Sequence, residues 1–135
     1  MDYNNKTVWI TGASSGIGEE LAKQFAEQGA KVILSARNTD KLNQVKDELK
    51  GEGHRIIPLD LSMPETVLHD VSAQIDSLGP IDILINNGGV SQRSSFLEND
   101  FKVYRQLMEV NYFGLIALTK AVLPSMVARK SGSVE

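Results

Sequence analysis

The sequence predicts an α/β domain in which a parallel sheet is covered by helices on both faces, and three observations predict it. Apolar runs of four to six residues, among them Thr7-Val8-Trp9-Ile10, Val32-Ile33-Leu34-Ser35 and Ile81-Asp82-Ile83-Leu84-Ile85, alternate with amphipathic stretches along the chain. Runs this short suit buried strands joined by right-handed helical crossovers. Glycines fall at 12, 16 and 18, between the first run and the first amphipathic stretch, an order of strand, turn and helix. With 41% hydrophobic and 23% charged residues, the 135-residue chain has the composition of one ordinary globular domain, and no linker, repeat or low-complexity segment divides it. The expectation is a single domain over residues 1–135, doubly wound, with strand order 3-2-1-4.

Each element has its own signal. Residues 6–10 form the first strand, and a helix over 17–28 stops at Gly29, a suitable C-terminal cap. The second strand covers 31–36. Asn38, Thr39 and Asp40 offer N-capping oxygens to a helix reaching 52, with Leu42, Val45 and Leu49 on one face and Gly51 and Gly53 at its end. The third strand covers 55–59. Pro64, in a first turn, opens a helix that carries Val67, Leu68, Val71 and Ile75 inward, and Gly79-Pro80 stops it. The fourth strand covers 81–85. After a loop through Ser95, the pattern predicts a long helix over 101–129, bent at Gly114 or Pro124.

Charge and composition exclude several classes of function. The formal net charge is -3 with a pI near 5.4 and no basic block, which argues against nucleic acid and against an anionic membrane surface as partners. The first six residues carry no basic and apolar leader, and the apolar stretch over 113–127 is broken by Lys120 and Pro124, so neither a signal peptide nor a membrane span is expected. Zero cysteines and two histidines leave no thiolate or histidine-rich metal site. A cytoplasmic location fits this composition.

Residues 11–18 read TGASSGIG. Gly12 lets the chain turn off the strand, Gly16 removes a side chain where a pyrophosphate must come close, and Gly18 lets the helix pack on the strand. Unpaired N–H groups at the helix start, with the positive end of its dipole, then face the phosphates. The spacing G-x-x-x-G-x-G, followed in order by Asp60, Asn86-Asn87-Gly88-Gly89 and Asn111, resembles the classical short-chain dehydrogenase/reductase family. Gly88 stands where the family usually has alanine, and with Ser91-Gln92-Arg93 after it the chain is similar to the DHRS-type orphan dehydrogenase/reductases of that family.

The resemblance implies a Rossmann-like fold and a nicotinamide dinucleotide, with Ser14, Ser15 and Ile17 joining the three glycines around the phosphates. An acidic residue at the end of the second strand would hold a free ribose 2′-OH, whereas a 2′-phosphate needs a cation. The chain has Ala36-Arg37 there, so Arg37 resembles the position that selects NADP(H), with Ser14 and Asn38 as neutral helpers. Asp40 falls past the strand end, where a carboxylate already suits a helix start. Asp60 and Leu61 are implied to lie against the adenine, Asp60 otherwise capping the next helix, and Asn87, Gly88 and Gly89 to lie beside the cofactor, where the extra glycine adds backbone freedom. Asn111 matches the asparagine that bends the long helix and holds a water in the family's proton relay, the one catalytic position in reach.

The implied chemistry then runs out. Family members transfer hydride between cofactor and a carbonyl or secondary alcohol while a tyrosine, helped by a lysine four residues on, moves the proton. The tyrosines here, Tyr3, Tyr104 and Tyr112, are followed at that spacing by Thr7, Met108 and Ile116. The resemblance thus spans the whole chain but only the first half of a family domain. It implies a sheet truncated before the fifth strand, with the fourth strand as an open edge guarded by Asp82. Together with the apolar long helix, through which family members commonly associate, this favours a homo-oligomer. Two functions fit: an NADP(H)-dependent short-chain oxidoreductase acting on a small carbonyl or alcohol substrate, or a non-catalytic nucleotide-binding module. Only residues 91–96 would be in reach of a substrate.

Overall fold

Strand β1 (Thr7–Thr11) runs through the middle of a five-stranded, wholly parallel sheet in the computed structural model, which describes residues 2–89 and 100–135. Its neighbours are β2 (Lys31–Ser35), with Val8 opposite Val32, and β4 (Ile83–Ile85), with Val8 opposite Ile83. Strands β3 (Arg55–Ile56) and β5 (Ser133–Val134) lie outside them, giving the order β3-β2-β1-β4-β5. The helices are α1 (Gly16–Glu27), α2 (Thr39–Glu48), α3 (Pro64–Gln74), α4 (Phe101–Met108) and α5 (Leu115–Arg129).

Successive strand residues point to opposite faces, and both faces are apolar. Trp9, Ile33 and Leu84 pack with Val67 and Val71 of α3 and with Leu118 and Val122 of α5. Val8, Ile10, Val32 and Leu34 pack on the other face with Ala22 and Ala26 of α1 and with Leu42 and Val45 of α2. Each such valine, leucine or isoleucine side chain removed from water contributes about 1.5–3 kcal/mol, which holds the central strands rigid beneath the site. The indole of Trp9 is fully buried and donates its Nε1–H to Ser35 Oγ at 2.8 Å, while Ser35 donates to the Ile57 carbonyl at 2.6 Å.

A fifth strand corrects the expected four-stranded sheet. Helix α5 ends with Lys130 in the left-handed region (φ 54°), and Ser131 N–H bonds back to the Met126 carbonyl at 3.1 Å. Gly132 (φ 132°) then carries the chain alongside β4, where Ser133 N–H reaches Asp82 O at 2.9 Å, Glu135 N–H reaches Leu84 O at 2.8 Å and Asn86 N–H reaches Glu135 O at 2.8 Å. Strand β4 is therefore interior and not an open edge. Asp82 does not guard it: its carboxylate accepts the Thr7 N–H at 2.8 Å and faces Arg129 Nη1 at 3.7 Å.

Several ends differ from the sequence reading. The third strand stops at Ile56 instead of reaching 59: Ile57 and Leu59 still donate to Leu34 and Ala36 at 2.9 and 3.1 Å, but the Ile57 carbonyl accepts the Ser35 hydroxyl at 2.6 Å. Helix α2 ends at Glu48, where Leu49 turns extended, and not at 52. The long helix is interrupted between α4 and α5 by a π-helical turn, Glu109–Gly114, and continues through Pro124. That 29-residue stretch is long and apolar enough to cross a membrane by length and composition, yet it places Ala117, Leu118, Ala121, Val122 and Met126 in the sheet's core.

Candidate functional site

The carboxyl ends of the strands open onto one cleft of about 420 Å³. In a doubly wound sheet this crevice is where ligands bind. Thr11, Gly12, Ser14 and Ser15 line it from the end of β1, Ser35 to Asn38 from the end of β2, Leu59 to Leu61 from the segment after β3, and Asn87 to Gly89 from the end of β4; Gln106 and Val110 face it from the long helix.

The three glycines of the first turn have different physical reasons. Gly12 (φ +63°) is held close to β4: a Cβ there would stand 3.0 Å from both Nδ2 and the carbonyl of Asn87, whose Nδ2 donates to Gly12 O at 3.3 Å. Gly18 sits inside α1, where a Cβ would run into the Gly12 carbonyl and come 2.7 Å from Asn87 Nδ2, so this glycine permits the helix to touch the strand. Gly16 (φ +59°) has nothing within 4 Å of an added Cβ. Its conformation needs glycine, and its face is left open to the space a phosphate would take. Ser15 precedes α1 without spending its hydroxyl on a cap bond, and Ile17 is exposed.

Thr11 fastens the two central strands at their site ends. Its Oγ1 accepts the Gly88 N–H at 2.7 Å and lies 3.4 Å from the Ile85 carbonyl, to which it donates. Gly88 is not at positive φ, so the freedom expected of it is not what it supplies. It supplies room: a Cβ there would meet Leu61 Cδ1 at 2.8 Å and Thr11 Oγ1 at 3.1 Å. Gly114, closing the π turn, is pressed against the Leu61 backbone in the same way. Leu61 thus forms a wall wedged between two glycines.

At the end of β2 the cleft has Arg37 and no carboxylate. Asp40 lies in the first turn of α2 and is not among the lining residues, and Asn38 both lines the cleft and caps α2, accepting the Lys41 N–H at 3.1 Å. Asp60 is the acidic member of the lining. Its Oδ1 accepts from Ser62 Oγ at 2.6 Å and from Ser62 N–H at 3.0 Å, so it shapes a turn and does not cap α3, whose N-cap is Met63. The Ser62 hydroxyl, then the Ser62 N–H and the nearby Arg37 charge, hold the Asp60 carboxyl below its ordinary value despite partial burial.

The structure brings ten of the residues singled out in the sequence to the wall of one cleft: Gly12, Ser14, Ser15, Arg37, Asn38, Asp60, Leu61, Asn87, Gly88 and Gly89. Gly16, Ile17 and Gly18 form the adjoining first turn of α1. Asn111 lies in the π turn with Oδ1 against Gly89, 2.8 Å from where its Cβ would be, and is not itself among the lining residues. Residues 91–96 lie outside the described residues. Thr11, Ser35, Gln106 and Val110 line the cleft without having been singled out. A hydroxyl ending each of two apolar strands was the signal available for Thr11 and Ser35; nothing in the pattern around Gln106 and Val110 marks them.

Residues 6–134 match the short chain dehydrogenase family. The human dehydrogenase/reductase SDR family member 7 is 45% identical over 98% of this chain, and the match takes in 41% of that protein. A solved short chain dehydrogenase/reductase family protein superposes with a TM-score of 0.88 at 34% identity, covering 99% of this chain and 55% of that one. An actinorhodin polyketide ketoreductase solved with NADPH superposes with a TM-score of 0.85 at 28% identity, covering 96% and 51%. The fold, the glycine turn and the cleft define a nicotinamide-dinucleotide-binding α/β protein. The chain belongs to the short-chain dehydrogenase/reductase family of oxidoreductases, whose cofactor is NAD(P), and it spans less than half the length of the curated relatives it matches.

Proposed function

We propose that these residues are the cofactor-binding half of an NADP(H)-dependent oxidoreductase that reduces a carbonyl or oxidises a secondary alcohol. The observation that carries the reading is Arg37, which lines the cleft beside Ser14 and Asn38 where a ribose-selective carboxylate would otherwise stand. A guanidinium gives a 2′-phosphate charge-assisted hydrogen bonds worth about 1.5–3 kcal/mol, or about ten- to hundredfold in affinity. The residues present fit the group: Gly16 leaves an open face at the α1 N-terminus, Gly12 and Gly88 keep side chains out of the floor, and Leu61 supplies an apolar wall. When bound, the cofactor supplies or takes up the hydride. The chain's own residues bind and orient: the first turn of α1 holds phosphate, Arg37 selects the 2′ substituent, and Asn111 beside Gly89 positions water for proton transfer.

Within these 135 residues no tyrosine has a lysine four positions on, so the chain has no activated proton donor of its own and binds without turnover. The absence of that pair keeps the nucleotide-binding module as the second reading for the chain taken alone. Titration of the chain with NADPH and NADH tests the proposal, followed by nicotinamide fluorescence and by energy transfer from Trp9, whose Ser35 partner lines the cleft. NADPH is expected to bind about ten- to hundredfold tighter, Arg37→Asp to reverse the order, and neither complex to turn over a carbonyl substrate. Tighter NADH binding to the unmutated chain would sink the cofactor assignment.

A further inference from the structure

The sheet has a second cleft, at the opposite end from the cofactor site, and its charge runs against that of the chain. It measures about 410 Å³ and is framed by Lys31, Arg55, Arg129 and Asp82 over a floor that includes Ile33, Leu78 and Pro80. The parallel register builds it. Thr7 pairs with Lys31 at the amino ends of β1 and β2, and Ile33 pairs with Arg55 at the start of β3. Residues two apart on a strand share a face, so Lys31 and Ile33 point the same way, as do Arg55 and the core residue Ile57. The two cations therefore stand diagonally across one strand pair. Gly53, at φ +85°, leaves room for the Lys31 stem, whose Cδ would stand 3.2 Å from a Cβ there, and Gly79, at φ +77°, has nothing within 4 Å of an added Cβ.

The acid in this cleft is already committed. Asp82 accepts the Thr7 N–H at 2.8 Å with one oxygen and faces Arg129 Nη1 at 3.7 Å with the other, while Arg129 Nη2 donates to the Ile81 carbonyl at 2.6 Å. Arg129 and Asp82 thus neutralise each other as a fixed wall. Among the described residues neither Lys31 nor Arg55 has a carboxylate within 4 Å, so the cleft carries two uncompensated positive charges on a chain whose formal net charge is -3. Two cations on the same face of neighbouring strands, lining one cleft, raise the local potential for an anion that bridges them.

We infer that this amino-end cleft binds a small dianion, a phosphate ester or a dicarboxylate with a short apolar body, independently of the cofactor site. Lys31 and Arg55 take the two negative oxygens, and Ile33, Leu78 and Pro80 take the body. The inference goes beyond the nucleotide reading and does not depend on it.

Residue-resolved NMR of the labelled chain tests it, with inorganic phosphate and succinate titrated in parallel against sodium chloride of matched ionic strength. Saturable shifts of the Lys31, Gly53 and Gly79 amides are expected with at least one of the two dianions. The double variant Lys31→Glu, Arg55→Glu should weaken the apparent affinity at these amides by about tenfold or more. Phosphate shifts at Gly12 and Gly16, at the other end of the sheet, should persist in that variant, which separates failure here from failure of the cofactor assignment. Both side chains are exposed, so the variant is expected to fold; where it does not, Lys31→Gln serves instead. Amides at 31, 53 and 79 that follow only ionic strength, or that move equally in the charge-altered variant, overturn the inference.

Discussion

Asp60 shows how a single side chain can serve both the turn and the cleft. Its carboxylate is locked by the Ser62 hydroxyl and N–H, and the same lock lowers its proton affinity with help from Arg37. The linkage has a definite sign. A carboxyl whose folded-state value is depressed binds fewer protons folded than unfolded, so its stabilisation is fully present above the ordinary value of 3.8 and is lost as pH falls through the lower folded value. Below pH 4, then, the chain should lose stability partly through this group. Asp60→Asn cannot titrate, and its urea midpoint should fall less steeply with acid than that of the unmutated chain. Parallel slopes for the two proteins would show that the Ser62 contacts do not favour the charged form. Arg37 enters the same balance, so the acid slope should also flatten in Arg37→Ala.

At the scale of elements, the decisive contact is helix on strand at the glycine turn. An exposed helix interior prefers alanine to glycine by about 1 kcal/mol, which on propensity alone makes Gly18→Ala stabilising. The structure reverses that sign, because the new Cβ would meet the Gly12 backbone carbonyl and Asn87 Nδ2, and backbone cannot swing aside as a flexible side chain can. The expected outcome is a loss of about 1–3 kcal/mol, read as a lower urea midpoint, the usual range for overpacking. A stabilised Gly18→Ala would mean that α1 lifts off β1 without penalty. This glycine was legible in the sequence because its spacing from Gly12 and Gly16 encodes the contact, and the apolar runs of β1 and β2 were legible because each is buried on both faces. Strand β5 was not. Ser133 and Val134 carry almost no apolar signal, and they are a strand only because α5 returns them to the free edge of β4. The π turn was equally hidden, since Gly114 marks a break but not the extra residue per turn that sets it against Leu61. In the site, the residues carried by motif could be placed; Gln106 and Val110 could not, because they reach the cleft through the path of the long helix.

For the whole molecule, the covering of β4 by β5 changes the argument for self-association without removing it. The open edge proposed from the sequence is filled, and β5 presents only two residues as the new edge. What remains is the outer face of the long helix. Phe101, Met108, Tyr112, Leu123 and Val127 have exposures between 40% and 72%, a broken apolar stripe along the α4–α5 stretch with the exposed Lys120 between Tyr112 and Leu123. Scattered apolar residues on a surface need no explanation, but several large ones along one helical stretch are a candidate interaction face, and we propose that they are one. A second copy presenting the same stripe in antiparallel is the simplest occupant, because a two-fold axis lets one self-complementary surface cover itself. The chain is therefore expected to sediment as a dimer at micromolar concentration. Leu123→Glu with Val127→Glu places charges at the carboxyl end of the stripe, away from the cofactor cleft, and should return it to monomer with nucleotide binding intact. A unmutated chain that sediments cleanly at 14.8 kDa would show that the stripe is not a homotypic contact.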